Sequence, residues 1–213
     1  MDIIKTLSSA GVVPVIVIED ASKAVPLAKA LVAGSLPVIE VTFRTKAAPE
    51  AIAAICREVP EAIVGAGTLL TPDMVKAARA AGAVFGVAPG FDPVVVETAK
   101  VVGLPMCPGI ATASELSQAL TAGCNFVKFF PAEAAGGVKM IKNLLGAFRF
   151  TGVRIMPTGG INRTNVAEYL SVPEVACCGG TWIVPKELLA NGDFEKIEML
   201  ARETAEIVKA VRA

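Results

Sequence analysis

Eight short apolar segments alternate with helix-forming segments along the whole chain, and this alternation constrains the fold more than any other feature. The apolar segments are short, nearly continuous runs rich in Val, Ile, Phe and Cys, as buried parallel strands are. The segments between them are rich in Ala, Glu, Lys and Leu, which favour helices. The candidate strands span residues 12–18, 37–43, 62–68, 84–88, 105–110, 126–130, 154–158 and 175–179.

Capping residues predict where several of the helices begin and end. Thr71 and Asp92 each precede a proline, which suits the first position of a helix, and Thr112 with Glu115 has the spacing of a capping box. The apolar stripe of residues 193–212 predicts a closing amphipathic helix. Four glycines follow helical stretches as left-handed C-caps would: Gly34, Gly82, Gly103 and Gly123.

Eight strand–helix units with short links and no break in composition predict one (β/α)8 TIM barrel domain over residues 1–213. A doubly wound open sheet is the alternative, and it normally carries a glycine-rich phosphate loop after its first strand. The closest segment, GAGTLL at residues 65–70, follows the third strand and has leucine at its sixth position. The sequence therefore favours the barrel.

The chain contains no histidine, and this limits the chemistry that it can perform. Triads built on Ser-His or Cys-His pairs are excluded, and so are the commonest general base and the commonest zinc ligand. The 20 basic and 20 acidic residues cancel, which argues against nucleic acid or an anionic membrane as partner. We expect a reaction performed by Lys, Glu, Asp, Arg, hydroxyl and backbone groups, without metal or cofactor.

The cellular location is predicted from the cysteines and from the amino terminus. Five cysteines occur with no C-x-x-C pair, which is typical of reduced core residues. The N-terminal residues lack the pattern of a secretory signal, and no apolar run reaches the length of a membrane span. We expect a cytoplasmic protein.

A lysine stands in the middle of the sixth apolar segment, NFVKFFPAE at residues 125–133. Burying an ammonium group without a partner costs several kcal/mol. Removing one member of a buried ion pair, for example, destabilises a protein by about 3–5 kcal/mol. Lys128 either extends its amine to solvent from a strand end or serves as a nucleophilic amine. Other strand ends decide between these two interpretations.

Several predicted strands carry polar residues near the end where barrel enzymes place their chemistry. Glu40, Thr42 and Arg44 share one face of the second strand and its extension, and Thr68 and Thr158 end the third and seventh. Each has a structural explanation alone, as an ion-pair partner, a cap or a turn residue. Their convergence with Lys128 at one barrel mouth favours an active site.

Glycine pairs follow the last two strands, where such barrels often hold a phosphate group. Glycine lets the backbone approach an anion, and successive N–H groups can bind it. The simpler interpretation is a pair of glycine turns, but the shared location favours phosphate. The pairs are Gly159-Gly160 and Gly179-Gly180, the second followed by Thr181.

Four motifs resemble the bacterial 2-keto-3-deoxy-6-phosphogluconate (KDPG) aldolase family, which includes 4-hydroxy-2-oxoglutarate (KHG) aldolases. They are EVTFRT at 40–45, VGAGT at 64–68, GCNFVKFFPAEAAGG at 123–137 and MPTGG at 156–160. The resemblance implies a (β/α)8 class I pyruvate aldolase of the Entner-Doudoroff pathway, a metal-independent homotrimer. Its substrates would be a phosphorylated 2-keto acid and pyruvate.

The same resemblance implies roles for individual residues. Lys128 would form the Schiff base and Glu40 would be the acid and base. Arg44, aided by Thr68, would hold the substrate carboxylate, and Thr158 would contact the pyruvyl portion. The phosphate group would bind Gly159, Gly160, Gly180 and Thr181.

The sequence departs from the family pattern at Ser35, Pro37 and Ala88, none of which is a proposed catalytic group. Four alternatives stay open. They are a 2-keto-3-deoxy-6-phosphogalactonate aldolase, a metal-dependent pyruvate aldolase that would have to hold its metal by carboxylates alone, a phosphosugar isomerase or epimerase, and a non-catalytic barrel that binds a phosphorylated ligand.

Overall fold

Short parallel strands form a barrel wall in the computed structural model, which describes residues 2–212. The strands are β1 (Val12–Ile16), β2 (Val38–Thr42), β3 (Ile63–Gly67), β4 (Phe85–Val87), β5 (Met106–Cys107), β6 (Gly109–Ile110), β7 (Phe126–Phe129), β8 (Arg154–Pro157) and β9 (Cys178–Gly180). All of their pairings are parallel. The predicted barrel is confirmed, and every predicted strand segment contains strand residues.

The fifth predicted strand is divided at Pro108 into β5 and β6. Proline has no N–H group to donate, so a ladder cannot continue through it unchanged. β5 pairs back with β4, while β6 pairs forward with β7. β9 pairs with β1, and single bridges connect the β8 region to the β9 region at Ile155–Val175 and Thr158–Gly179. The eighth strand therefore begins later than predicted.

Helices cover the outside of the barrel. They are α1 (Ile3–Ala10), α2 (Ala24–Ala33), α3 (Ala48–Glu58), α4 (Pro72–Ala80), α5 (Pro93–Val101), α6 (Ala113–Thr121), α7 (Gly137–Phe148), α8 (Val166–Leu170), α9 (Lys186–Asn191) and α10 (Phe194–Arg212). The side chains of Thr71 and Asp92 accept from the first turns of α4 and α5, and Thr112 and Glu115 form the predicted capping box. No helix of residues 2–212 is long and apolar enough to cross a membrane.

Helix α1 was not predicted from the sequence. Asp2 caps it by accepting a hydrogen bond from the Lys5 N–H at 3.1 Å. Leu7 is fully buried in a core cluster with Phe85 and Phe126, and so α1 covers the amino-terminal end of the barrel. An Asx cap followed by Ile3 and Leu7 at helical spacing was the available sequence pattern.

The predicted left-handed conformation is found at Gly82, Gly103 and Gly123, but the expectation for Gly34 is wrong. Gly34 has a φ of −79°. It is needed for a different reason, since a Cβ there would lie 2.4 Å from the Cβ of Ala201 on α10. The left-handed residue at this helix end is Ser35, with a φ of 66°.

Ser35→Gly is expected to stabilise the fold. A left-handed non-glycine residue costs roughly 1–2 kcal/mol, of which the greater flexibility of glycine in the unfolded chain cancels about 0.5–1 kcal/mol. We expect a net gain of about 0.5–1 kcal/mol in the free energy of unfolding, measured by denaturant titration. The matched control is Ser171→Gly, at an exposed helix end with a φ of −72°, which should lose stability. A loss at both positions would contradict the prediction.

Candidate active site

A cavity of about 170 Å³ opens at the carboxyl ends of the barrel strands. In a (β/α)8 barrel this is the end at which catalytic groups gather. Every site residue predicted from the sequence lines this cavity: Glu40, Arg44, Thr68, Lys128, Thr158, Gly159, Gly160, Gly180 and Thr181. The predicted convergence of polar strand ends is therefore confirmed as geometry, while the roles of these residues stay predictions.

Glu40 and Lys128 face each other inside the barrel. Glu40 lies in the middle of β2 and is fully buried, while Lys128 lies in β7 and is 5% exposed. The distance from Lys128 Nζ to Glu40 Oε1 is 3.8 Å. The amine also lies 5.2 Å from the centre of the Phe130 ring. Lys128 thus does not extend to solvent from a strand end, which removes the simpler explanation of its place in the sequence.

The Glu40 carboxyl group is in an unusual state for a buried acid. Neither of its oxygens has a hydrogen-bond partner within the described residues. Burial raises the pKa of Glu40 above its ordinary value of 4.5, and the positive charge of Lys128 opposes this shift only in part. A raised pKa moves a carboxyl group toward the pH range in which it can both give and take a proton, as a general acid and base must.

A glycine in the neighbouring strand makes room for this carboxyl group. Glu40 pairs in register with Gly65, and Thr42 pairs with Gly67. A Cβ on Gly67 would lie 2.1 Å from Glu40 Oε1. The hydroxyl of Thr42 donates to the Ile16 carbonyl at 2.9 Å and so ties the end of β2 to β1. The position of Glu40 therefore depends on the small residues of β3.

Arg44 and Thr68 lie at the rim of the cavity. Arg44 follows β2, and its side chain is exposed with no ion-pair partner within residues 2–212. Thr68 follows β3 and has a φ of 58°, which is rare for a β-branched residue. Strained backbone of this kind concentrates at functional sites. A guanidinium and a hydroxyl at the rim of one cavity are suited to binding a carboxylate.

Thr158 lies deeper in the cavity, directly after β8. It is buried, and its hydroxyl oxygen has no hydrogen-bond partner within the described residues. A Cβ on Gly179 would lie 2.3 Å from that hydroxyl oxygen, so the glycine of β9 keeps the space around it. An unpartnered buried hydroxyl that lines a cavity is suited to contact a bound ligand.

The loop after β8 brings two glycines at positive φ to the rim of the cavity. Gly159 and Gly160 have φ values of 100° and 80°, which only glycine adopts readily. Within residues 2–212, the N–H groups of Gly160 and Ile161 donate to no acceptor, while Gly159 directly follows the bridge between Thr158 and Gly179. Successive free N–H groups at the rim of a cavity are suited to bind phosphate.

Sequence reasoning missed the apolar part of the lining. Val15, Pro89, Phe130 and Ile161 also border the cavity, and none stands out in sequence as anything but a core or loop residue. The departures from the family pattern leave the site intact. Pro37 precedes β2, where its carbonyl accepts from Ile63 N–H at 2.8 Å, so the pairing of β2 with β3 begins normally.

A larger cavity, of about 390 Å³, lies at the opposite end of the barrel beside α1. Most of its lining is apolar, and it contains none of the predicted site residues.

All five cysteines are free, and burial raises the pKa of the Cys107 and Cys177 thiols, which makes them poor nucleophiles. Among residues 2–212, no group of three or more His, Cys, Asp or Glu could hold a metal.

Comparison with known proteins gives a consistent result over nearly the whole chain. The family model "KDPG and KHG aldolase" matches residues 3–200. The KHG/KDPG aldolase of Escherichia coli (strain K12) is 48% identical over 95% of this chain and 94% of its own.

Two solved structures share the fold closely. The KDPG aldolase of Legionella pneumophila, with pyruvate captured as a covalent carbinolamine, has a TM-score of 0.89 at 42% identity over 93% of this chain and 96% of its own. The enzyme of Zymomonas mobilis ZM4 with 3-phosphoglycerate has a TM-score of 0.87 at 44% identity over 96% of this chain and 94% of its own. The protein whose buried Lys128–Glu40 pair faces this cavity therefore belongs to the KDPG and KHG aldolase family.

Proposed function

We propose that this protein cleaves 2-dehydro-3-deoxy-6-phosphogluconate to pyruvate and glyceraldehyde 3-phosphate, with Lys128 as the amine that forms the Schiff base. The protein is a class I aldolase, and a Schiff-base mechanism requires no metal. We propose that it also cleaves 4-hydroxy-2-oxoglutarate to pyruvate and glyoxylate. The observation that carries the proposal is the buried pair formed by Lys128 and Glu40, 3.8 Å apart at the barrel mouth.

The first half of the reaction forms the imine. The uncharged amine of Lys128 adds to the C2 ketone and gives a carbinolamine, and loss of water then gives a protonated imine. Glu40, whose carboxyl group lies 3.8 Å from the amine of Lys128, is placed to donate the proton that the departing hydroxyl needs. Phe130 lies beside the amine at 5.2 Å, where a ring face favours the cation that develops.

The second half breaks the bond between C3 and C4. Glu40, through a water molecule, takes the proton of the C4 hydroxyl, and the C4–O bond becomes the carbonyl of the departing aldehyde. The electrons of the C3–C4 bond move into the protonated imine and give an enamine. Protonation at C3 and hydrolysis then release pyruvate and return the amine of Lys128. Since the chain has no histidine, a glutamate is the residue suited to these transfers.

The remaining groups bind the two ends of the substrate. Arg44 holds the carboxylate as a two-pronged donor, with support from the hydroxyl of Thr68. The buried hydroxyl of Thr158 contacts the pyruvyl portion. The phosphate group binds the backbone of the loop at Gly159 and Gly160. Gly180 and Thr181 complete this phosphate site.

Thr181→Ala is expected to separate phosphorylated from unphosphorylated substrate. The lost hydrogen bond is to a charged group, worth about 1.5–3 kcal/mol, so KM for 2-dehydro-3-deoxy-6-phosphogluconate should rise about 10- to 150-fold. KM for 4-hydroxy-2-oxoglutarate, which has no phosphate group, should stay within about twofold. Steady-state kinetics with pyruvate as the measured product test this, and equal changes for both substrates would place the phosphate elsewhere.

The alternatives raised by the sequence differ in status. Membership of the aldolase family removes the isomerase, epimerase and non-catalytic barrels. The phosphogalactonate-derived substrate shares the pyruvyl end, and comparing cleavage rates of the two C4 epimers decides between them. We further propose that residues 1–213 act as one domain, that the protein works in the cytoplasm, where its free cysteines stay reduced, and that it forms a homotrimer. Light scattering measures the oligomeric state.

A further inference from the structure

We propose that Asn165, together with Asn162, is a positioning residue that holds the phosphate nest in its binding orientation without touching the ligand. This inference rests on the proposed phosphate site after β8. It is based on the direction in which the carbonyl oxygen of each peptide group in that loop points.

Three successive carbonyls of the loop are occupied by donors of the protein. The Thr158 carbonyl accepts from the Ala132 N–H at 2.8 Å, and the Gly159 carbonyl accepts from the Glu133 N–H at 3.0 Å. Both donors belong to the loop that follows β7 and Lys128. Among the described residues, no backbone N–H donates to the Gly160 carbonyl, and side chains occupy it instead.

The two asparagines supply those side chains. The Asn165 amide nitrogen lies 3.2 Å from the Gly160 carbonyl oxygen, and the Asn162 amide nitrogen lies 3.3 Å from it. Both residues follow the loop directly in sequence. Asn165 stands immediately before α8, whose position against the barrel is fixed by the buried Tyr169.

Each amide is held in one orientation by the bond that its oxygen makes. Asn165 Oδ1 accepts from the Asn162 N–H at 2.8 Å, so its amide nitrogen is the atom left to face Gly160. Asn162 Oδ1 accepts from the N–H and the hydroxyl of Thr164, at 2.8 and 2.7 Å. An amide with its oxygen already engaged is a directional donor, and so both asparagines donate to the carbonyl.

The consequence for the ligand follows from the planarity of the peptide group. In a trans peptide, the N–H of one residue points opposite to the carbonyl of the residue before it. Fixing the carbonyls of Thr158, Gly159 and Gly160 therefore directs the N–H groups of Gly159, Gly160 and Ile161 the other way, away from these donors. The Gly159 N–H points along the wall to the bridge with β9, whereas the N–H groups of Gly160 and Ile161 have no acceptor within residues 2–212, and both residues line the active-site cavity. Because glycine at positive φ permits alternative peptide orientations, the two amides supply the direction that the glycines lack.

The test compares Asn165→Ala with Asn143→Ala, the same substitution at an exposed position of α7. We expect kcat/KM for 2-dehydro-3-deoxy-6-phosphogluconate to fall about 5- to 20-fold in Asn165→Ala, through KM, as for one weakened hydrogen bond to a charged group. Values for 4-hydroxy-2-oxoglutarate should stay within about twofold of the unchanged protein. Asn143→Ala should leave kcat/KM unchanged for both substrates.

If Asn165 has a purely structural role, Asn165→Ala should lower kcat/KM for both substrates together, and that result overturns the inference. Thr181→Ala, measured beside it, separates this inference from the proposed phosphate site. If Thr181→Ala raises KM for the phosphorylated substrate alone and Asn165→Ala does not, the phosphate site is correct and the inference fails. If neither variant distinguishes the two substrates, the proposed phosphate site itself is wrong. Asn165→Asp is the second variant if the alanine variant does not fold. It keeps an acceptor for Asn162 N–H but cannot donate to Gly160, so an unchanged KM for the phosphorylated substrate overturns the inference.

Discussion

Lys128→Met is expected to reduce turnover by about 10⁴- to 10⁶-fold, the scale on which an enzyme loses rate when its covalent nucleophile is removed. Methionine fills the buried space of the lysine stem but has no amine to attack the ketone. Reduction with borohydride in the presence of pyruvate should add a pyruvyl-derived mass to the unchanged protein. The added mass should lie on the peptide that contains residues 125–133, and it should be missing from the variant.

The matched control is Lys139→Met, on the exposed surface of α7. It removes a lysine without changing the cavity and should leave both turnover and trapping unchanged. Label on Lys139 or Lys142, rather than on Lys128, would refute the assignment. Measuring turnover after prolonged treatment with a chelator tests the metal-independent mechanism. Turnover should be unchanged, and a loss of activity that a divalent ion restores would contradict the mechanism.

Glu40→Gln is expected to lower turnover by about 10²- to 10⁴-fold, the usual contribution of a positioned acid and base. Glutamine keeps the size of the side chain but cannot exchange protons. Arg44 and Thr68 should still bind the carboxylate, so pyruvate should still be trapped on Lys128 by borohydride, at a reduced rate. A turnover close to that of the unchanged protein would make Glu40 a structural partner of Lys128.

The pH dependence of stability gives an independent readout for the same variant. Burial raises the pKa of Glu40 above 4.5 in the folded protein, so its contribution to stability is fully present below the unfolded pKa. That contribution is lost as the pH rises through the raised folded pKa. Glutamine does not titrate, and the variant should lose less stability over this range, measured by thermal melts. Glu115→Gln is a control whose effect on the pH dependence of stability should have the opposite sign. The pKa of Glu115 is lowered by hydrogen bonds from the Ala111 N–H and from the hydroxyl and N–H of Thr112, so its contribution is lost as the pH falls.

The barrel could be predicted from the sequence because its pattern is local. Each strand is a short apolar run between capped helices, and eight such runs in a row allow few other folds. What the pattern could not place were features that depend on contacts between distant segments. The φ of Gly34 is an example: the glycine is required by the approach of Ala201 from the last helix, and the left-handed residue is Ser35.

The site was predictable in its members but not in its distances. Polar residues at strand ends identified Glu40 and Lys128, yet their separation depends on how β2 and β7 face each other across the barrel. The hydrogen bonds of Asn162 and Asn165 were outside the reach of sequence reasoning for another reason. Asparagine in a turn is common, and only the structure reveals which carbonyl the amide holds.

The division at Pro108 has a consequence for how the active site is assembled. It separates the wall into two arcs, β5-β4-β3-β2-β1-β9 and β6-β7-β8. They meet at two seams, one at Pro108 and one at the single bridges between the β8 and β9 regions. Glu40 belongs to the larger arc and Lys128 to the smaller. The alignment of Glu40 with Lys128 therefore depends on how the continuous chain through Pro108 and the two single bridges hold the arcs together, so catalytic activity reports on the relative position of the arcs.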